Sequence, residues 1–294
     1  MSAVDDLLVG AIDLHTHSGP SPMPRRITHA EAAKQAAEAG FRAIVVKCHY
    51  HDTVNDVLAI APLLEDVKTR VFGGVALNSP VGGLNPHAAD LSLKMGGKII
   101  WFPTISSTIH LDHSSHHPET QCHFQPLGIR QAEEVSVFGD DGELRPEVEE
   151  IVGLAKQAGA LISTGHLDTK SAAAVVGAAQ RIGHRQIVVS HPNYVSDIDR
   201  QHAQAMVAAG AVIEHEIAMY DNDKIFPVQT LIDWISAIGA ENTIIGSDLG
   251  QVGNQLPIDG YRSLLGRLLD LGVTEREISL MIRENPARLI GLDS

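Results

Sequence analysis

Ile12-Asp13-Leu14-His15-Thr16-His17-Ser18-Gly19-Pro20 decides how this chain is read. An apolar run over 9–14 leads into two histidines one residue apart, and a Ser-Gly-Pro cluster follows at once. Residues i and i+2 of a strand point to one face. An H-x-H at a strand's end therefore aims two imidazoles at one place, which suits a divalent metal ion. With sixteen histidines in the chain a chance H-x-H is easy to come by. The weight of the pair rests on whether later strands also end in ligand-type residues.

Working outward, apolar runs over 41–46, 71–77, 98–102, 160–164, 186–190, 211–213 and 243–245 predict seven more strands. Helical patterns lie between them, over 28–39, 53–68, 85–95, 146–158, 169–182, 197–209 and 227–238, and two more follow over 257–271 and 274–283. Thr28 and Glu31 have the spacing of a capping box. The strands are near-continuous apolar runs, as parallel strands covered on both faces should be. Eight strands alternating with helices, in a length close to the ~250 residues typical of that fold, predict an α/β protein, a (β/α)8 TIM barrel. No linker-like shift in composition divides the chain, so residues 1–294 read as one barrel domain. The rival is an open doubly wound sheet, which would not bring the ends of strands 1, 5, 6 and 8 to one site. The rhythm breaks once. After the fourth strand, residues 104–145 carry His110, Asp112, His113, His116, His117 and His123 among many Ser, Pro and Gly, and read as a long lid or active-site loop.

Composition narrows the function classes. A net charge of −14 and the absence of any Lys/Arg block exclude nucleic acid as a partner. Two cysteines, Cys48 and Cys122, make no disulfide framework, which fits a reducing cytoplasm. The acidic start shows no signal peptide, and no apolar stretch reaches the ~18–20 residues that span a bilayer, so no membrane partner is expected. A homo-oligomer is the base-rate expectation for an enzyme of this kind.

The chemistry-bearing residues fall at strand ends: His15 and His17 after strand 1, His166 after strand 5, His191 after strand 6, Asp248 after strand 8. In a barrel these ends converge on the C-terminal face, where sites of this fold are built. Four histidines and an aspartate form a divalent-metal set, for zinc first and manganese or iron as alternatives. The same ordered set resembles the amidohydrolase superfamily of metal-dependent hydrolases: H-x-H after strand 1, single histidines after strands 5 and 6, an aspartate after strand 8. The closing Glu284-Asn285-Pro286-Ala287-Arg288-Leu289-Ile290-Gly291-Leu292 is similar to a tail common in that family. The resemblance implies the barrel and a metal-dependent hydrolase.

The sequence departs from the family at strand 4, which ends Trp101-Phe102-Pro103-Thr104 without the lysine or glutamate that bridges two ions in many members. Lys98 stands at the wrong end of that strand. One ion bound by His15, His17, His166 and Asp248 then follows, with His191 as ligand or stabiliser, unless strand 2 supplies a bridge and a second ion. Lys47 and His49 share a face there, and Cys48 alternates away. Lys47 has three readings: a carboxylated ligand, a cation holding a substrate carboxylate, or a solvent-facing lysine.

The expected substrate is a small molecule, with metal-bound hydroxide attacking an amide, cyclic amide or lactone carbonyl, since a bound divalent ion lowers the pKa of water to about 7. Asp248 would move the proton, and His191 or Lys47 would polarise the carbonyl. Arg25 and Arg26, after strand 1, suit a substrate anion. His110 and His113 are candidates for substrate or a second ion, and Glu214 and Glu216, which share a face, enter the site together or not at all. The alternatives are non-hydrolytic decarboxylation of a small carboxylic acid, phosphoester hydrolysis, and a catalytically inactive ligand-binding barrel.

Overall fold

In a computed structural model, residues 3–116, 128–220 and 225–292 are described, apart from the side chains of 114–116. Among the described residues nine short strands run in parallel: β1 Ile12–Thr16, β2 Ala43–Val46, β3 Arg70–Phe72, β4 Gly74–Ala76, β5 Ile99–Trp101, β6 Leu161–Ser163, β7 Ile187–Ser190, β8 Val212–Glu216 and β9 Thr243–Gly246. β1-β2-β3 form one ladder and β4 to β9 another. β3 and β4 are halves of one stave interrupted at Gly73. The ring closes between its last and first members. Asp248 N–H donates to the His15 carbonyl at 2.8 Å, His17 N–H donates to the Leu249 carbonyl at 2.9 Å, and Thr16 bridges Leu249 in parallel. The result is the eight-stave (β/α)8 barrel that the alternation of apolar runs predicts.

Side-chain parity divides the core. Ile12, Leu14, Ala43, Val45, Ile99, Trp101, Leu161, Val188, Val212 and Ile244 fill the barrel, and Ala287, Leu289 and Ile290 close it from the C-terminal end of the chain. The alternate residues of the same strands, such as Ile44, Val46, Val189 and Ile213, pack outward against the helices.

The helices begin where capping chemistry allows. Thr28 accepts from Glu31 N–H and Glu31 reaches back to Thr28, the reciprocal box that opens His29–Glu38. Asn85 and Asp168 cap Pro86–Lys94 and Thr169–Arg181 by the side chain alone, Asn85 accepting from His87 and Ala88 N–H and Asp168 from Ser171 N–H.

Four expectations need correction. The span 53–68 is an α-helix only over Val54–Ile60. It tightens to a 3₁₀ turn over Ala61–Leu64, where Pro62 lacks the N–H of a regular helix. Ala3–Leu8 forms a helix, so the first strand starts at Ile12. The closing tail holds the helix Asn285–Leu289. Residues 104–145 are not loop throughout: Thr108–His116 is helical. That segment also returns to the barrel, because Val135 N–H donates to the Ser106 carbonyl and Val137 is fully buried. His117, Cys122 and His123 lie outside the described residues. No helix among the described residues is long and apolar enough to cross a membrane.

Candidate metal centre

The two histidines of β1 reach the barrel mouth by a local irregularity. Asp13 pairs with Ile44, yet Thr16 pairs with Val46, so β1 has one residue more than β2 across this interval. This bulge leaves both Leu14 and His15 on the inner side, whereas plain alternation would separate them. Asp13 fixes the distortion. Its carboxylate accepts from His15 N–H, Thr16 Oγ1, Ser247 N–H and Ser247 Oγ, tying β1 to the end of β9.

The other members arrive by equally specific backbone. His166 follows Gly165, whose φ is +60° and where a Cβ would stand 2.3 Å from the Phe102 carbonyl oxygen. His191 and Asp248 themselves have φ of +30° and +47°. Non-glycine residues in the left-handed region cost about 1–3 kcal/mol each and cluster at functional sites. Lys47 and His49 continue the inward parity of Ala43 and Val45.

These residues form a tight set. His17 Nε2 lies 2.9 Å from Asp248 Oδ1 and His15 Nε2 lies 3.6 Å from it. The three ligand atoms lie within 4.8 Å of one another. Lys47 Nζ is 2.9 Å from His15 Nε2 and 5.5 Å from the centre of the Trp101 ring. The ring centroids of His166 and His191 are 4.7 Å apart, those of His15 and His191 6.3 Å, and those of His17 and His49 5.1 Å. Most Nδ1 atoms have one partner close by: the Lys47 carbonyl for His17 at 3.2 Å, Thr104 Oγ1 for His49 at 2.8 Å, His110 Nδ1 for His166 at 2.8 Å, and the Tyr194 carbonyl for His191 at 3.3 Å. Where Nδ1 donates, as a backbone carbonyl partner requires at His17 and His191, Nε2 is left as the lone pair.

The electrostatics favour neutral imidazoles and an ionised aspartate. Burial and the Arg25 guanidinium push His17 down to about 3, and burial with the Asp248 and Lys47 charges leaves His191 at about 4. Burial drives His49 and His166 well below the ordinary histidine value. Burial alone would raise Asp248, but the His15 charge and the close contact with His17 outweigh it and hold the carboxyl low. His15 is the exception. Burial and Lys47 push it down, yet Glu214 and Asp248 outweigh them and raise it to about 10. A proton and a divalent ion compete for such a nitrogen. The donor set itself, imidazole nitrogens with a carboxylate oxygen on a buried face, fits a zinc-type ion.

Lys47 is fully buried and turned to this set, so the solvent-facing reading is overturned, and burial lowers its pKa. The buried Cys48 faces away, 3.8 Å from Ser21 Oγ, and does not join the cluster. Arg25 lies against it, Nη2 3.3 Å from His17 Nδ1. Arg26 does not: it is exposed and donates to the Asn254 carbonyl. Of the segment after β5, His110 touches His166, while the ring of His113 lies one aromatic further out, 6.0 Å from Tyr194. Glu214 and Glu216 belong to β8, which continues past the apolar run, and both are buried and turned inward beside His15. Asp13 and Ser247 are organising residues that the apolar pattern alone does not single out.

The comparisons agree with this fold. The family model DUF6282, described only as a family of unknown function, matches residues 10–214. No curated protein matches the chain by sequence. Among solved structures, an amidohydrolase from Pseudomonas aeruginosa is 13% identical, with 98% of each chain covered and a TM-score of 0.67. A probable dipeptidase from the same organism is 12% identical, covers 99% of this chain and 97% of its own, and has a TM-score of 0.61. A probable 2-pyrone-4,6-dicarboxylic acid hydrolase from Acinetobacter baumannii is 12% identical, covers 96% and 100%, and has a TM-score of 0.58. At such identities the likeness is one of fold, the (β/α)8 barrel.

Proposed function

The chain belongs to DUF6282, a family of unknown function, and from that premise we propose that it is a metal-dependent hydrolase of a small molecule, cleaving an amide, cyclic amide or lactone at the carbonyl. The observation that carries this reading is the convergence of His15 Nε2, His17 Nε2 and Asp248 Oδ1 at one buried point of an amidohydrolase-type barrel. These three residues, with His166 and His191 beside them, would hold the ion. When bound, such an ion supplies a nucleophilic water near neutral pH and Lewis acidity at a carbonyl.

The chain's own residues do the rest. Asp248 is ionised and stands beside the ligand nitrogen of His17 at 2.9 Å, so it is placed to take a proton from the attacking water and return it to the leaving group. His191 presents Nε2 to the same space and polarises the substrate carbonyl. Arg25 and Lys47 are the cations of the site and orient a substrate that carries a carboxylate. Burial of His15, His17, His191 and Lys47 strengthens each of these contacts. Zinc as the ion, a homo-oligomeric state and a cytoplasmic location belong to the same proposal.

The absence of a bridging residue after β5, together with two cations turned on the site, also supports a second reading, decarboxylation of a small carboxylic acid. One experiment separates the readings. The purified protein is assayed against a panel of amides, cyclic amides, lactones and carboxylic acids, before and after removal of metal by a chelator. Hydrolysis that disappears with the metal and returns with zinc is the expected result. Full hydrolysis in the metal-free protein would refute metal dependence, and CO₂ release without hydrolysis would favour the second reading.

A further inference from the structure

Glu216 is a fully buried carboxylate, and neither of its oxygens has a hydrogen-bond partner. Among the described residues no lysine or arginine forms an ion pair with it. An ionised carboxylate is not buried alone without large cost. Its near neighbours are Glu214, two residues back on β8, and His15. Nδ1 of His15 stands 3.3 Å from Glu216 Oε1 and 3.4 Å from Glu214 Oε2. The three ligand atoms lie within 4.8 Å of one another, and all three residues are buried.

The distances are informative. A charge-assisted N–H···O⁻ contact runs about 2.7–2.9 Å, and neither of these is that short. The edges of a tetrahedron built on bonds of ~2.0–2.1 Å measure about 3.3–3.4 Å. The Nδ1 partners at His17, His49, His166 and His191 are backbone carbonyls, a hydroxyl, a ring nitrogen and the Arg25 guanidinium, whereas His15 Nδ1 faces two carboxylates at the length of a coordination edge. The surroundings are built to match. Ser190 Oγ donates to Glu214 Oε2 at 2.6 Å, the kind of outer contact that orients a carboxylate ligand. Gly246 keeps the space open, since a Cβ there would stand 3.0 Å from His15 Cβ and 3.1 Å from Glu214 Oε1.

We propose that His15 Nδ1, Glu214 and Glu216 form a second divalent-cation site inside the barrel, reached through the ring nitrogen that the His17–Asp248 set does not use. The inference rests on the metal-dependent reading above. One imidazole nitrogen and two carboxylate oxygens suit zinc or manganese. Binding displaces the Nδ1 proton to solvent, so His15 bridges the two ions as an imidazolate.

The test is a zinc titration of the metal-stripped full-length protein, read by elemental analysis. It is paired with anomalous diffraction from crystals of the unmutated protein grown with manganese. Two ions per chain are expected, with one anomalous peak between Glu214 and Glu216, and one ion in Glu216→Gln and in Glu214→Gln. A single ion at His17 and Asp248, with no peak at the glutamates, would overturn this inference and leave the metal-dependent reading intact. No ion at either place would overturn both. The diffraction arm needs no substitution, so a variant that fails to fold does not blur the outcome.

Discussion

Histidines gather in two regions of this chain, and only one of them is placed by the barrel. His15, His17, His166 and His191 stand at stave ends, all buried and turned to one point. Of the histidines in the segment after β5, two ride on Thr108–His116 with described side chains and they divide: His110 reaches His166, while the ring of His113 lies against Tyr194. The stave histidines are held by ladder register, a bulge and positive-φ turns, constraints that the whole ring enforces. His110 and His113 depend on how one short helix lies over the barrel mouth. The comparison teaches that position relative to the strand rhythm, and not histidine density, marks the candidate ligands.

The largest test of that contrast is Asp248→Asn. Asparagine tolerates the left-handed φ and keeps the shape, so circular dichroism and Tm should hardly change. Turnover should fall by ~10²–10⁴-fold, the usual weight of a positioned acid–base group. Full turnover in this variant would remove Asp248 from the chemistry.

A graded series through the two regions comes next. His166→Ala should weaken zinc affinity by more than His110→Ala, measured by competition with a chromogenic chelator. His110 touches only the far nitrogen of His166, so its loss should cost roughly 10-fold, the low end for groups behind a ligand. His113→Ala should change nothing measurable. An equal loss from His113 and His166 would show that the helix supplies ligands on the same footing as the staves.

The staves were the legible region, for a physical reason. Parallel strands covered on both faces must be apolar throughout, and such runs stand out, as do caps such as Thr28 with Glu31. Three details are not legible. The H-x-H spacing points His15 and His17 to one face, yet plain alternation would send Leu14 to the other, and the bulge that keeps all three inside depends on register with β2. The apolar run of β8 ends at Ile213, while the strand runs on to Glu216, because inward residues near the barrel mouth are polar. Asp13 sits in an apolar run, and its role needs Ser247 from the far end of the chain.

A smaller effect comes from pH. His17 and His215 are lowered to about 3, and His110 and His191 to about 4, burial being the main cause. Unfolded, each titrates near 6.5, so between these values the unfolded chain binds more protons and stability rises with pH. Their contribution is complete above about pH 6.5 and is lost on acidification. His15, raised to about 10, acts in the opposite sense, contributing below 6.5 and losing it toward 10. Metal-free protein should therefore lose roughly 10 °C of Tm or more between pH 6.5 and 4.5. A flat profile there would mean that the stave histidines are not buried as neutral rings.

The smallest expected effect separates two adjacent arginines. Arg25 lies against His17, and burial pulls its pKa down. Arg26 reaches outward to the Asn254 carbonyl from an exposed position. If a substrate carboxylate is held at the mouth of the barrel, only Arg25 can meet it. Arg25→Ala should then raise KM at least ~10-fold for anionic substrates, since a charge-assisted contact contributes about 1.5–3 kcal/mol, and leave neutral substrates less affected. Arg26→Ala should leave KM unchanged and shift stability by less than ~0.5 kcal/mol, as surface changes do. The reverse ranking would mean that the anion enters along the outer face of the loop, and that the arginine nearer the candidate ligands serves only to hold His17 in place.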